Sequence, residues 1–335
     1  MNEDPRTASD LAATYESQIR GKVVLTTGVS PSGLGAAFVL GIARSQPALL
    51  ILAGRNLTKM QQTADAISAI GVKVRILELD LVSLASVRAS AEKVNAWDDV
   101  PQIDVLVNNA GVMAVDWACS AEGYDSQLAI NHLGPFLFTN LIMGKMLKSP
   151  APRIVMVTSG GHRLSPFRFE DYNFRDGECY HKWLSYGQSK TANMLMAISL
   201  AEKLGPKHRL SAFSVHPGVV PSNLSSHLKL FSEDDSDMIS MRDIDRVMGN
   251  GIGWTGFDDV FPSTPEVGAN VYVYGAFDPD VTKWLIFEAH NGSFLLSCRL
   301  ADPWKDTVRP WATSSVEAER LWKLSEKLVG QEFLS

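Results

Sequence analysis

Short apolar runs alternate along the chain with longer segments whose apolar residues recur at helical spacing. The apolar runs occupy residues 22–27, 48–53, 72–79, 103–108, 153–158 and 210–215. Because each run is apolar on both faces, it is typical of a strand buried between two layers of helices. The pattern predicts an α/β fold with a single Rossmann-type, doubly wound parallel sheet and helices on both faces.

Three segments interrupt this alternation. Residues 1–20 are interpreted as a polar arm with one weak helical stretch, and residues 301–335 as a helical extension with its helix at 314–330. Residues 222–263, acidic and then glycine-rich, are interpreted as an insertion into a Rossmann-fold domain that spans 21–300. An Asn-Gly turn at 291–292 leads into the last predicted strand.

Composition narrows the classes of partner. The net charge is −6, and no basic stripe with interleaved aromatic residues is present, so a nucleic-acid partner is not expected. Cys119, Cys179 and Cys298 are few and widely spaced, which predicts neither a disulfide framework nor a metal site. A polar amino terminus and the lack of a long apolar run predict a cytosolic protein with no membrane span. We therefore expect a small-molecule ligand.

The sequence TGVSPSGLG at 27–35 lies between the first predicted strand and a predicted helix. Glycine permits positive φ and close approach of the backbone, while the amino end of a helix attracts phosphate. A purely structural turn would have the same composition, so this segment alone leaves both interpretations open. The candidate phosphate-binding residues are Gly28, Ser30, Gly33, Leu34 and Gly35.

The end of the second strand bears on the choice of nucleotide. Arg55 occupies the position where enzymes that use NAD place an acid for the ribose 2′-hydroxyl. Together with Lys59, one helical turn later, it could bind a 2′-phosphate, although a solvated arginine is the simpler alternative. We therefore predict NADP(H). Further cofactor contacts are expected where the third and fourth strands end, at Asp80, Leu81, Asn109, Ala110 and Gly111.

Tyr186 and Lys190 are four residues apart at the start of a predicted helix. This spacing places both side chains on one helical face. A nearby ammonium group favours phenolate and would lower the pKa of the tyrosine. Such a tyrosine can exchange a proton with an alcohol or carbonyl oxygen. The alternative is an exposed i, i+4 pair with no catalytic role.

Taken in order, these motifs resemble the short-chain dehydrogenase/reductase family, and within it the retinol-dehydrogenase-like and fungal members. The resemblance extends over residues 22–224, with a looser match at 265–279. It rests on the glycine turn, Ala-Gly-Arg at 53–55, Asp80-Leu81, Asn-Asn-Ala-Gly at 108–111, Asn131, Ser159, Tyr186 with Lys190, and His-Pro-Gly at 216–218.

The resemblance implies hydride transfer between a nicotinamide cofactor and a carbonyl or alcohol. Tyr186 would be the general acid or base, and Lys190 would lower its pKa and bind the nicotinamide ribose. Ser159, rather than Thr158, would stabilise the substrate oxygen. Asn131 would hold a water that links Lys190 to solvent, or would only cap or kink its helix.

The resemblance also implies cofactor contacts after the sixth strand, where Ser222 replaces the usual threonine. The residues concerned are Pro217, Gly218, Val220 and Ser222. The chain departs from the family in two ways. Four residues rather than three separate Gly28 from Gly33, and the segments after Ser159 and Ser222 are unusually long. We expect both long segments to lie over the substrate site.

Apolar side chains in these two segments predict a moderately large apolar substrate, although they could instead pack a core or an oligomer interface. They are Phe167, Phe169, Trp183, Leu224, Leu228, Leu230, Phe231 and Trp254. An epimerase or an enoyl reductase could use the same four catalytic side chains, and an inactive cofactor-binding scaffold is a further alternative. A homodimer and a monomer are both compatible with the sequence. His132, His162 and His216 are expected to be packing or hydrogen-bonded residues.

Overall fold

A computed structural model describes residues 4–229, 236–250, 263–282 and 290–333. Eight strands form one sheet in the order β3-β2-β1-β4-β5-β6-β7-β8. Strands β1 to β7 pair in parallel, and β8 closes an antiparallel hairpin with β7. The strands are β1 (Val23–Thr27), β2 (Leu49–Gly54), β3 (Val74–Glu78), β4 (Val105–Asn108), β5 (Arg153–Val157), β6 (Ser211–His216), β7 (Phe294–Leu296) and β8 (Arg299–Leu300).

Helices follow most of the strands, as the alternation in the sequence predicts. The α-helices are α1 (Ala8–Thr14), α2 (Glu16–Ile19), α3 (Leu34–Ala43), α4 (Leu57–Ser68), α5 (Leu84–Asn95), α6 (Ser126–Leu128), α7 (Gly134–Leu141), α8 (Met143–Met146), α9 (Lys182–His208), α10 (Ser236–Val247), α11 (Pro265–Gly268), α12 (Asn270–Phe277) and α13 (Ser315–Val329). Shorter 3₁₀ turns lie at Gly160–Leu164, Arg175–Gly177, Asp280–Thr282 and Pro310–Ala312, and a π-helical turn at Ala129–Leu133.

The sheet is covered on both faces. Val24 and Leu25 are successive residues of β1, so their side chains point to opposite faces. Val24 belongs to the buried cluster that contains residues of α1, α3, α4 and α12, whereas Leu25 belongs to the cluster that contains residues of α5, α7, α9 and α13. Both side chains are fully buried. The predicted doubly wound α/β fold is therefore confirmed.

The sheet has a reversal of strand order at β1. Leu25 pairs with Ile51 of β2 on one side and with Leu106 of β4 on the other. The connections from these strands therefore diverge, and a crevice opens beyond their carboxyl ends. This is where a doubly wound sheet binds its ligand.

The amino-terminal segment is not the polar arm that the sequence suggested. Thr7 caps α1 through a reciprocal capping box with Asp10. Ala8 and Leu11 are buried against α3, and Gly41 admits this contact because a Cβ there would lie 2.9 Å from the Ala8 Cβ. The few apolar residues of this stretch share one helical face, which the overall polarity of the segment conceals.

The carboxyl-terminal helix also belongs to the main core. Ser314 caps its start, and Gly330 ends it with φ of 68°. Leu321 and Trp322 are buried in the cluster that contains α7 and α9. The predicted helix at 314–330 is thus present as α13. Of the predicted lid at 222–263, residues 230–235 and 251–262 lie outside the described residues.

Candidate active site

A cavity of about 830 Å³ lies in the crevice beyond the carboxyl ends of the parallel strands. Its wall includes every predicted site residue except Gly35 and Asn131. Parallel strands bring their carboxyl ends to one edge of the sheet, so residues distant in sequence meet there. The predicted residues in the wall are Gly28, Ser30, Gly33, Leu34, Arg55, Lys59, Asp80, Leu81, Asn109, Ala110, Gly111, Ser159, Tyr186, Lys190, Pro217, Gly218, Val220 and Ser222.

The glycine turn accommodates its additional residue in a tight bend before α3. The Gly33 amide donates to the Ser30 carbonyl over 3.1 Å, and Ser32 has φ of 62°. Pro31 precedes that residue, a combination typical of a type II turn. Gly28, with φ of 74°, sits so close to β4's end that a Cβ would lie 2.7 Å from the Ala110 Cα. The longer turn therefore keeps Gly33 at the start of the helix.

The amino end of α3 suits an anion. Its N-cap, Gly33, has no side chain to occupy the amides of the first turn, and both Gly33 and Leu34 line the cavity. Unoccupied amides and the helix dipole make such an end attractive to phosphate. Gly35 lies behind the turn instead, where a Cβ would be 2.5 Å from the Gly28 carbonyl oxygen. It allows the helix to pack closely and is not itself in the wall.

Asn109 ties β1 to β4 below the cavity. Its Nδ2 donates to the carbonyl oxygens of Thr27 and Gly28, both over 2.9 Å. The Thr27 hydroxyl oxygen accepts from the Asn109 and Ala110 amides, each over 3.0 Å. The side chain of Asn109 therefore holds the glycine turn in place, and Tyr272 donates to its remaining oxygen over 3.1 Å.

The end of β2 is cationic. Arg55 and Lys59 are exposed and line the cavity, and within the described residues neither belongs to an ion pair. The side chain of Asn56 caps α4 by accepting from the Lys59 amide over 2.9 Å, which sets the position of the lysine. Asp80 lines the adjoining wall and accepts from the Val82 amide over 3.3 Å. The cations Arg55 and Lys59, together with the unoccupied amides at the start of α3, fit a dinucleotide.

Helix α9 carries the tyrosine and the lysine. His181 caps it by accepting from the Trp183 amide over 3.3 Å, so its first turn is fixed where Tyr186 begins the second. The Lys190 Nζ lies 5.6 Å from the centroid of the Tyr186 ring and donates to the Val157 carbonyl over 3.3 Å. The i, i+4 spacing thus places both groups at the end of β5.

The pKa of Tyr186 moves in the direction opposite to the one expected from this spacing. Burial raises the pKa of Tyr186 to about 12, and a side-chain hydrogen bond with Ser159 opposes the rise. Burial also lowers the pKa of Lys190 to about 8. Both shifts arise because the apolar surroundings disfavour a charge, and in the protein alone this desolvation outweighs the attraction between the two groups.

Ser159 is the hydroxyl at the end of β5 that faces the tyrosine. Its Oγ accepts from the Gly161 amide over 3.0 Å. Thr158 donates instead to the carbonyl of Lys190 over 2.7 Å and braces α9. A Cβ on Gly161 would lie 2.7 Å from Cε1 of Tyr186, so the ring packs directly on this glycine. Sequence reasoning did not single out Gly161, although it follows Ser159 closely in the same motif.

Asn131 is buried behind the cavity wall. Its Nδ2 donates to the Val112 carbonyl and the Ser189 hydroxyl, both over 2.9 Å. Its Oδ1 accepts from the Val112 amide over 2.8 Å. The residue lies in the π-helical turn that interrupts the helix before α7. The structure therefore places it as a brace for the segment after β4.

The other end of the cavity is apolar. Trp183, Leu224 and Leu228 line it as predicted. Phe167 and Phe169 pack on each other, 4.9 Å between ring centroids, within the core cluster and not in the wall. Leu230, Phe231 and Trp254 lie outside the described residues. Sequence reasoning missed four apolar wall residues, Met113, Val115, Leu164 and Met241, because no motif marks them.

The three histidines near these elements are hydrogen-bonded; His132 and His162 are buried, and His216 is half-buried in the cavity wall. His216 accepts from the Gly160 amide over 3.3 Å, and His162 pairs with the Ser159 carbonyl over 2.9 Å. The Nε2 atom of His132 lies 2.8 Å from the Ser325 hydroxyl. No cluster of metal-ligating side chains occurs in the part of the chain that the structure describes.

Among the described helices, none combines the length and the apolar character needed to cross a membrane. The predicted cytosolic location stays a prediction.

Comparison with known proteins agrees with this geometry. Residues 22–173 match the family model described as short chain dehydrogenase. Retinol dehydrogenase 14 of Mus musculus is 33% identical over 325 residues, covering 93% of this chain and 87% of the relative. Oxidoreductase fscI of Fusarium equiseti is 33% identical over 240 residues, covering 63% and 92%.

Solved structures show the same architecture. A putative uncharacterized protein from Mycobacterium Paratuberculosis has a TM-score of 0.68 and 30% identity, with 98% of each chain covered. A short chain dehydrogenase from Shigella flexneri 2a, complexed with NADP, has a TM-score of 0.59 and 20% identity over 85% of this chain and all of the other, and it shows the fold alone. With the site geometry and the likeness to a retinol dehydrogenase over 93% of its length, this chain belongs to the short-chain dehydrogenase/reductase family of oxidoreductases.

Proposed function

We propose that the protein transfers hydride between NADP(H) and the carbonyl or alcohol carbon of a moderately large apolar substrate. The observation that carries this proposal is the meeting of Ser159, Tyr186 and Lys190 in the wall of one cavity whose other end contains Arg55 and Lys59. The candidate proton donor Tyr186 and the cationic candidate nucleotide site thus line the same cavity. The nicotinamide, when bound, supplies or accepts the hydride.

Tyr186 is the proposed acid for reduction and base for oxidation. With a pKa raised to about 12, its hydroxyl is protonated at neutral pH and can donate to a developing alkoxide. The Ser159 hydroxyl is placed to donate to the same oxygen, as a preorganised stabiliser of negative charge. Lys190, with a pKa near 8, is mostly cationic at pH 7 and favours the phenolate that remains after proton transfer.

The cofactor preference rests on the end of β2. Arg55 is the side chain at the position where an acid would accept from a ribose 2′-hydroxyl, and its guanidinium suits phosphate oxygens. Exposed Arg55 and Lys59 line the same end of the cavity, so they can converge on one group. A 2′-phosphate would therefore gain charge-assisted hydrogen bonds that NADH cannot make.

The substrate proposal rests on the apolar end of the cavity. Trp183, Leu164, Met113 and Met241 form an apolar cluster with Tyr186 in this part of the wall. Such a wall favours a large apolar body that carries one carbonyl. The names of the retinol dehydrogenase relatives make retinal a reasonable member of a test panel.

A carbonyl panel tests the function. Retinal, aromatic ketones, quinones and short aldehydes are incubated with the protein, and oxidation of NADPH and of NADH is followed by absorbance. We expect NADPH-dependent reduction of the large apolar carbonyls. Stoichiometric NADPH binding without turnover on any member would instead favour the inactive scaffold, and product analysis separates carbonyl reduction from enoyl reduction or epimerisation.

The substitution Arg55→Ser tests the cofactor preference. Losing a charge-assisted contact is expected to weaken NADPH binding by about tenfold to a hundredfold and leave NADH binding almost unchanged. Fluorescence titration of both cofactors gives the two affinities. Arg44→Ser, an exposed arginine at the far end of α3, serves as the control. Equal losses for NADPH and NADH would contradict the assignment of Arg55.

A further inference from the structure

Gln127 is a fully buried amide that lies between the segment after β4 and the start of α9. Its Oε1 accepts from the Ala114 amide over 2.7 Å. Its Nε2 lies within hydrogen-bond distance of the Tyr180 hydroxyl at 2.8 Å, the Lys182 carbonyl at 2.9 Å and the Ser185 hydroxyl at 3.1 Å. One side chain therefore joins the segment after β4 to the first turn of the helix that carries Tyr186.

The segment after β4 is part of the cavity wall. Met113 and Val115 line the cavity, while Ala114 between them is buried. Ala114 has φ of 46°, a left-handed conformation that a residue with a side chain adopts only when its surroundings enforce it. In this conformation the Ala114 amide donates to Gln127 over 2.7 Å.

Tyr180 extends the same connection. Its hydroxyl lies beside the Gln127 amide and donates to the Val115 carbonyl over 2.7 Å. Burial raises the pKa of Tyr180 to about 12, so the hydroxyl keeps its proton for this bond. The segment is thus bonded to Gln127 at Ala114 and to Tyr180 at Val115.

Asn131 completes the arrangement one helical turn after Gln127. It binds both the amide and the carbonyl of Val112, as described above. Residues at i and i+4 of a helix lie on one face, so the two amide side chains meet consecutive parts of one segment. The backbone from Val112 to Val115 is therefore held at Val112, Ala114 and Val115.

We propose that Gln127 is a positioning residue that sets the distance between the Met113–Val115 wall and Tyr186, and so determines how large apolar substrates are seated. The proposal rests on the proposed function. It predicts that loss of the amide leaves the proton donor intact and affects those substrates that must contact the wall.

The first test does not depend on activity. Hydrogen–deuterium exchange is measured by NMR or fragment mass spectrometry in the wild type, in Gln127→Met and in Gln188→Met. Gln188 is the matched control, because it is also fully buried, lies on α9 and bonds to the Arg168 amide and the Tyr172 carbonyl, away from the wall. We expect exchange at Ala114 to accelerate about tenfold or more in Gln127→Met alone. Unchanged exchange at Ala114 would overturn the proposal.

The second test is a comparison of KM with kcat. For Gln127→Met we expect KM for a bulky ketone to rise about tenfold, while kcat changes little and a short aldehyde is turned over as by the wild type. Tyr180→Phe, which loses the bond to Val115, should show the same selective rise to a smaller degree, and it serves if Gln127→Met does not fold. An equal effect on large and small substrates, or the same selectivity change in Gln188→Met, would overturn the proposal.

The two tests separate this inference from the proposed function. If the wild type reduces no carbonyl, the proposed function fails. Accelerated exchange at Ala114 in Gln127→Met would still show that Gln127 holds the Met113–Val115 wall. If the wild type is active and exchange at Ala114 does not change in Gln127→Met, the positioning role fails and the function stands.

Discussion

Lys190 and Tyr186 illustrate how burial shapes the chemistry of single residues. Both side chains are almost inaccessible to water, and each pKa has moved toward the neutral form of its group. The spacing of the two residues was readable from the sequence, because i and i+4 share a helical face in any helix. The direction of the pKa shift could not be predicted from the sequence, because it depends on how completely the surrounding chain excludes water from the two groups.

Lys190→Met should stabilise the fold at neutral pH. The pKa of Lys190 is near 8 in the folded chain against 10.5 for a lysine in water, so below pH 8 folding includes the cost of burying the cation. Removing the cation should raise the free energy of unfolding at pH 7 by about 1–3 kcal/mol. Urea unfolding of both proteins from pH 7 to pH 10 measures the effect.

The stability difference between the two proteins depends on pH because the folded and unfolded lysines lose their protons at different pH values. Between pH 8 and pH 10.5 the folded lysine is deprotonated while the unfolded one still holds its proton, so the wild type gains stability as the pH rises. The advantage of Lys190→Met should therefore shrink over that interval. Lys93→Met, at an exposed position on α5, provides the comparison. An advantage that stays constant with pH would contradict the burial cost.

At the scale of elements, α10 belongs to the predicted lid and is fastened to the segment that follows Ser159. Asp245 is fully buried and pairs with Arg163, and Asn250 also donates to it. Arg309 donates to the Met248 carbonyl over 2.8 Å just beyond the helix. Met241 of the same helix lines the cavity, so the position of α10 bears directly on the substrate site.

Asp245→Asn should loosen α10. The substitution leaves Arg163 largely buried without its carboxylate, at a cost of about 2 kcal/mol after allowance for its partial exposure. We expect faster hydrogen exchange across Ser236–Val247 and a higher KM for large apolar substrates. Asp243→Asn is the matched control on the same helix, because its pair with Arg246 is solvent-exposed and worth little. Equal effects of the two substitutions would contradict the role of the buried pair.

The sequence predicted the strands and the helices α4 and α13 because their periodicity is local. It did not predict the π-helical turn at Ala129–Leu133, the tight bend at Ser32 or the packing of α1 on α3. The π-helical turn and the packing of α1 depend on partners far along the chain, whereas the bend at Ser32 is local but lies in the additional residue of the glycine turn. Asn131 shows the same limit, since the family motif marks the residue but only the fold shows that both of its amide atoms are used to hold Val112.

At the scale of the whole molecule, three histidines with lowered pKa values make the fold sensitive to acid. Burial lowers the pKa of His132 and His216 to about 3 and that of His162 to about 4. In the unfolded chain these side chains take up protons below about pH 6.5. The unfolded state therefore binds more protons between pH 6.5 and pH 4, and stability must fall as the pH drops through that interval.

His132→Gln should reduce this acid sensitivity. Glutamine can keep the contact with the Ser325 hydroxyl but does not titrate. The slope of unfolding free energy against pH should decrease by about 1.4 kcal/mol per pH unit between pH 6 and pH 4. Urea titrations at several pH values give both slopes. Parallel curves for the two proteins would show that His132 does not contribute.

The proposed function is tested most directly by the rate of hydride transfer in Tyr186→Phe. Stopped-flow oxidation of NADPH is measured with the best carbonyl of the panel, beside the wild type and Tyr274→Phe, a half-buried tyrosine outside the cavity wall. If Tyr186 donates the proton, the rate in Tyr186→Phe falls by about 100-fold to 10,000-fold. NADPH affinity and the rate of Tyr274→Phe stay as in the wild type. A fully active Tyr186→Phe enzyme would contradict the assignment of Tyr186 as the acid and base.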